Sequence, residues 1–239
     1  MPSRFTKAKS SAIKGSHIEP GLARLATASR SRVYEAGHSL FEQGDDFTGV
    51  YRLESGLVGI RKVDEDGSSM LIHLVQPGDF IGYGPLLTSG EHQCCAEVLQ
   101  PSRIAFIDAA TMRALVRDEA AVAGMLLTQA ARELSALDEK YLQMATRQAH
   151  ARLAGLLAML AGRCSHQVKS GACTFELPIL NRELAELIGI RPETLSRAIA
   201  QLRTMGLAQL SGRTVTLPNV ASLSRLVGGA VEVWQPIAA

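Results

Sequence analysis

Glu193, Ser196 and Arg197 fall at positions i, i+3 and i+4 of the stretch IRPETLSRAIAQLR, residues 190–203. On a helix that spacing places a carboxylate, a hydroxyl and a guanidinium on one face. Such a face could read base edges. Arg donates two hydrogen bonds to guanine O6 and N7, Glu accepts from cytosine N4, and Ser serves several edges. The same trio also suits a plain solvated face, with Glu193 favouring the helix N-terminus and pairing with Arg197. A second stretch, GEHQCCAEV (90–98), sets His92 beside the vicinal thiols Cys94 and Cys95, with His73 in the preceding apolar run. Three readings stay open for it. A His or Cys could ligate haem; a thiolate could meet oxidants or soft metals; or the cysteines could simply pack. Consecutive strand residues face opposite ways, which makes one of the pair a small buried residue.

The elements that must hold the first trio are legible. NRELAELIGIRPETLSRAIAQLRTMGL (181–207) reads as two helices about a tight turn. Asn181 can cap the first helix and Gly189 can end it. Arg191 precedes a proline and is pushed out of helical geometry, while Pro192 suits the first position of the second helix. Leu184, Leu187 and Ile188 form one apolar face, and Leu195, Ile199 and Leu202 another. At about 100° per residue, Glu193, Ser196, Arg197, Ala200 and Thr204 point the opposite way. This is a helix-turn-helix, whose second helix inserts its first turns into the major groove. LAQLSGRTVTLP (207–218) adds a hairpin around Ser211–Arg213 and makes the unit a winged helix. Arg182, Arg191, Arg203 and Arg213 are the candidates for phosphate contacts, which need only positive charge at the right depth.

Charge is divided to match. Residues 1–146 hold 15 Lys and Arg against 18 Asp and Glu, whereas residues 147–227 hold 10 against 4. The basic excess lies where a polyanion would be met. Upstream, residues 31–108 alternate strand-length apolar runs with Gly, Asp and Pro, the texture of a sandwich or barrel. The sequence DEDG at 64–67 is a hairpin turn. From Ala109 the chain is rich in Ala, Leu, Met, Glu and Arg, without proline, and reads as helix to residue 146. Leu127, Leu134 and Tyr141 recur every seven residues, with Ala130, Leu137 and Met144 three beyond each. That seam of about three heptads is the pattern of a helix dimer. A further helix (about 147–161) and a loop (162–174) follow.

Hydrophobic residues make up 46% of the 239 and charged residues 20%, ordinary globular usage. No apolar run approaches the ~18 residues that span a membrane. The basic, Ser-rich start has no apolar core of a secretory signal, so a cytoplasmic location is expected. The cysteines (94, 95, 164 and 173) are expected as thiols, and no CxxC spacing suggests a metal site. The expected division is a flexible arm and short helix over 1–30, a sensory β domain over 31–108, a long dimerisation helix over 109–146, a winged helix-turn-helix over 147–220, and a tail over 221–239.

Taken together, roughly Arg30 to Asn219 resembles the CRP/FNR family of bacterial transcription regulators. AGHSLFEQGDDFTGVYRLESGLVGIRK and GSSMLIHLVQPGDFIG are similar to its cyclic-nucleotide-binding β-roll. The long helix resembles its dimerisation helix and the C-terminal half its winged helix-turn-helix. The resemblance implies an α+β chain with a jelly-roll sensory domain, a homodimer on double-stranded DNA, and an activator that contacts RNA polymerase. Glu193, Ser196 and Arg197 match the E-x-x-S-R of the FNR branch, which implies a palindrome of the type TTGAT…ATCAA. Two departures are visible. Nucleotide-binding members carry a Glu after GDFIG and then an Arg–Ser pair; here those positions read Tyr83, then Gln93 and Cys94, which argues against cyclic AMP because no Arg meets the phosphate. Oxygen-sensing members use an N-terminal cysteine cluster, and no Cys precedes 94, which argues against an iron–sulfur cluster. The effector is therefore unassigned. Tyr83, His92, Gln93, Cys94, Cys95 and His73 are the candidates for its pocket, haem stays open as a cofactor, and some members of the family need no effector. A cupin-type metal oxygenase is the competing class, but His38, His73 and His92 lack the HxH spacing it would need.

Overall fold

The computed structural model describes residues 20–88, 90–164 and 171–226. The expected arm before residue 20 and most of the expected tail lie outside them. The chain opens on α1 (Pro20–Ala28), then β1 (Arg30–Tyr34), β2 (Ser39–Phe41), the long β3 (Gly49–Val63), β4 (Ser69–Val75), β5 (Phe80–Ile81), the short α2 (Gly84–Thr88) and the long β6 (Cys95–Asp108). β6 pairs antiparallel with β1, β2 and β3, while β3 also takes β4 and β5, so two long bent strands form the spine of the roll. Alternation along these strands sends Leu40, Phe41, Leu53, Val58, Val75, Ile81, Ala96, Val98 and Ile104 inside. Each fully buried aliphatic side chain contributes about 1.5–3 kcal/mol. The β3–β4 turn forms at DEDG, where Gly67 has φ 81° and its N–H donates to Asp64 O at 3.0 Å.

The helical stretch differs from expectation. Residues 109–146 are two helices, α3 (Ala109–Asp118) and α4 (Ala120–Thr146), broken at an extended Glu119 (φ −123°, ψ 97°). Propensity alone cannot place this break, since neither Gly nor Pro marks it. Met112 of α3 and Val122 and Leu126 of α4 all join one apolar cluster with Leu25, Val50, Phe80 and Ile107 across the break. The Glu119 carboxylate pairs with Arg24 of α1, which fastens α1 to the same joint. At about 1.5 Å per residue, the 27 residues of α4 run about 40 Å.

α5 (Ala149–Cys164) follows an extended Arg147, where the chain leaves helical geometry. The expected loop is shorter than 162–174, because Cys173–Glu176 forms β7, paired with β9. Then come α6 (Asn181–Ile188), α7 (Pro192–Thr204), β8 (Gln209–Ser211), β9 (Thr214–Leu217) and α8 (Val220–Leu226). β7, β9 and β8 form the wing sheet. The unit extends past the expected end at 220, because Val220 and Leu223 of α8 are buried with Leu153 and Leu157 of α5. Leu57, Leu71 and Leu74 of the roll belong to that same cluster, so the two domains share apolar contact.

Candidate nucleic-acid interface

The turn between α6 and α7 is built as its sequence requires. Gly189 sits in the left-handed region (φ 66°, ψ 50°) and receives the helix end, its N–H directed at Ala185 O and Glu186 O. Arg191 is extended (ψ 153°) before Pro192. The N-cap of α6 is Leu180 rather than Asn181. Its N–H donates to Glu183 Oε2 at 2.7 Å, the carboxylate half of a capping box. In α7, Leu195, Ala198 and Leu202 are buried and Ile199 is half-buried, because the helix is rotated to seat the small Ala198 against its neighbours.

Opposite that seam, Glu193, Ser196, Arg197 and Thr204 are exposed, while Ala200 is half-buried. Ser196 Oγ donates to Pro192 O at 3.2 Å and Arg197 Nε to Glu193 O at 3.4 Å. The Arg197 contact is to the Glu193 backbone, and among the described residues the two side chains form no ion pair. Arg182, Arg191 and Arg203 are also exposed. Arg182 Nε lies 3.3 Å from Glu186 Oε1. Arg213 is exposed as well. Its Nε and Nη2 donate to Leu177 O at 3.1 and 2.8 Å, which ties the wing to the segment between β7 and α6.

The effector candidates share neighbours: Glu133 lies close enough to Tyr83 and Cys94 to raise both pKa values, and a Cβ on Gly82, beside Tyr83, would lie 3.0 Å from His92 Cε1. Tyr83 turns toward α4, where its hydroxyl donates to Glu133 Oε2 at 2.7 Å, and burial followed by that carboxylate raises its pKa. Gln129 closes the same corner, donating to Phe80 O and to Glu133 Oε1 and accepting from Phe80 N. His92 is 2% exposed and stacks on Phe41 at 3.8 Å between centroids; burial lowers its pKa, with Asp45 opposing. Cys95 is buried, its Sγ accepting from Gln43 N at 3.3 Å, and burial pushes its thiol up. Cys94 packs against the roll interior and is pushed up by burial, then by Cys95. Gln93 and His73 are exposed. His73 stands exposed on β4, where the extra residue Ile72 lets both Leu71 and Leu74 turn inward. An open groove of about 550 Å³ is lined by Asp46, Phe47, Pro85, Gly90, Glu91 and Arg113, none of them an expected pocket residue. Among the described residues no group of three or more His, Cys, Asp or Glu could hold a metal ion.

The large heptad residues of α4 are exposed. Leu127, Leu134, Leu137, Tyr141 and Met144 are 64, 61, 56, 75 and 45% exposed, an apolar stripe along α4 turned away from the roll. Met144 also reaches the helix-turn-helix. A Cβ on Gly189 would lie 2.9 Å from its Cε.

One set of polar residues escapes sequence reasoning. Arg61 of β3, 13% exposed at its side chain, bonds Glu97 of β6 through Nε (2.5 Å) and Glu183 of α6 through Nη2, with Glu186 Oε2 at 4.0 Å from Nη1. Burial alone would lower the Arg61 pKa; the hydrogen bonds to Glu97 and Glu183 outweigh it and raise it. Glu186 Oε2 also accepts from Leu71 N of β4 at 2.8 Å. The pairing spans 122 positions of sequence, and no local pattern signals it.

A β-roll carrying a long helix and a winged helix-turn-helix with an exposed polar second helix is the build of a DNA-binding transcription regulator. Comparison with known proteins agrees. Residues 31–119 match the cyclic nucleotide-binding domain and residues 151–226 the Crp-like helix-turn-helix domain. The transcriptional activator protein FnrL of Cereibacter sphaeroides is 27% identical over 90% of this chain and 88% of its own length. The CRP-like cAMP-activated global transcriptional regulator of Mycobacterium tuberculosis is 25% identical over 87% and 93%. A CRP-family regulator from Thermus thermophilus has the same fold, with a TM-score of 0.69 at 24% identity over 85% of this chain and all of its own. The chain belongs to the CRP/FNR family of transcription regulators. Among the described residues no helix is long and apolar enough to cross a membrane.

Proposed function

We propose that this chain is a cytoplasmic homodimeric activator that reads an FNR-like palindrome, TTGAT…ATCAA, and acts through contact with RNA polymerase. The observation that carries the reading is the exposed Glu193, Ser196 and Arg197 face of α7 on a helix whose other side is buried. Each protomer reads one half-site, and the exposed stripe of α4 pairs with its copy to set the two-fold axis. Exposed Arg182, Arg191 and Arg203 supply phosphate contacts.

A second reading, that the roll needs no small-molecule effector, is favoured by how its candidate residues are used. Tyr83 is tied to Glu133, His92 is stacked on Phe41, and both thiols are held protonated by burial. One gel-shift experiment tests both readings. Wild-type protein is expected to retard a TTGAT…ATCAA duplex equally with and without cyclic AMP. Arg197→Ala is expected to lose about 1–3 kcal/mol per half-site. Equal binding by Arg197→Ala removes the readout assignment, and a requirement for cyclic AMP removes the effector-free reading.

A further inference from the structure

The joint between roll and DNA-binding domain is polar at its centre, which is uncommon for buried surface. A buried ion pair is rarely a gain in stability over apolar packing, but it fixes geometry, and removing one partner is costly. Here one guanidinium faces the carboxylates of Glu97, Glu183 and Glu186. Glu183 uses its second oxygen to cap α6, while Glu186 accepts from Leu71 N on the same Oε2 that faces Arg61 and meets Arg182 through Oε1. The first helix of the helix-turn-helix is thus held at its start and its middle by the roll.

The strand that receives it is bulged. Ile60 pairs with His73 and Arg61 with Leu71, which leaves Ile72 as an extra residue in β4. The backbone around that bulge is claimed by two other elements. Leu71 N is taken by Glu186 of α6, and Ile72 O accepts from Lys140 Nζ of α4 at 3.3 Å. Met144, one turn beyond Lys140, packs against Gly189 between α6 and α7. Roll, dimer helix and DNA-binding unit therefore converge on one bulged hairpin.

We infer that Arg61 is a positioning residue for DNA reading: through Glu183 and Glu186 it clamps α6 to the bulged β3–β4 hairpin, and so fixes the angle at which α7 is presented relative to the dimer axis. Arg61 touches no base. It acts by making the half-site separation a property of a rigid body rather than of a swinging domain. The inference rests on the reading of a homodimer on a palindrome. Preorganisation of this kind gives affinity by lowering the ordering cost of binding, and selectivity for one spacing over its neighbours.

The test compares full-length Arg61→Met, Glu186→Gln and the triple variant Arg61→Met/Glu183→Gln/Glu186→Gln. In the triple variant no buried carboxylate of α6 is left uncompensated, and the amide at position 183 can still cap the helix. Oligomeric state is read by sedimentation. Affinity is read by anisotropy on the wild-type palindrome and on duplexes with one base pair added or removed between half-sites. Variants that remain dimers are expected to bind the wild-type palindrome about tenfold more weakly and to lose most of the preference for its spacing. A dimeric variant with wild-type affinity and spacing preference, or with tighter binding, overturns the inference. So does loss of the dimer or of cooperative unfolding in all three variants, which would make Arg61 merely structural. Wild-type protein indifferent to spacing would instead remove the palindrome reading, and the inference with it.

Discussion

Two arginines that look alike in sequence behave differently once placed. Both are exposed, but the Arg213 guanidinium also donates twice to Leu177 O. Arg203→Ala should weaken DNA binding on every sequence and lower the salt slope by about 1 for each phosphate no longer neutralised. Arg213→Ala should leave that slope near wild type while costing about 1–3 kcal/mol in stability, seen as a lower urea midpoint. Titrations across a range of potassium chloride separate the two. His92 makes a second prediction at this scale. Its folded pKa is depressed by burial, so above the ordinary imidazole value near 6.5 it contributes stability. As pH falls, the unfolded chain takes a proton that the buried ring resists, and that stability is lost down to the lowered folded value. Urea unfolding at about pH 7.5 and about 5.5 should show the loss, and His92→Phe, which keeps a ring on Phe41, should flatten it.

Among the elements, α4 is the one whose surface does not suit an isolated chain. Leu134 and Leu137 are more than half exposed at its centre, and replacing them disturbs no core of this chain. Leu134→Lys should therefore leave thermal unfolding of the roll close to wild type and shift the protein to monomer in sedimentation. Unchanged dimerisation would remove α4 as the interface. The same helix shows what sequence can and cannot tell. The heptad is readable because Leu127, Leu134 and Tyr141 repeat along one strip. The break at Glu119 is not, because neither Gly nor Pro marks it and the contacts of Met112, Val122 and Leu126 with Leu25, Val50 and Phe80 are distant in sequence. The α6–α7 turn is readable from Gly189 and Pro192, whose backbone restrictions are local. β7 is not, because CTFE is short and is a strand only through its pairing with β9.

Across the whole molecule the same division holds. The order of roll, helix and winged unit is written in composition and charge along the chain. The joint between them is not, since Arg61 meets Glu183 across 122 residues and Leu71 and Leu74 share a cluster with Leu184 and Ile188. The contacts of the expected effector residues are not written in the sequence either: Tyr83 bonds Glu133 of α4, His92 stacks on Phe41, and His73 stands exposed on β4. What remains is a two-domain chain with one polar helix face presented outward, which the proposed dimer would double.

Selection of bound duplexes from a random DNA pool, followed by sequencing, measures that most directly. The recovered sites should be inverted repeats of TTGAT…ATCAA, with half-site centres about one helical turn, 10–10.5 base pairs, apart. Recovery of single half-sites, of direct repeats, or of no preferred sequence would contradict it.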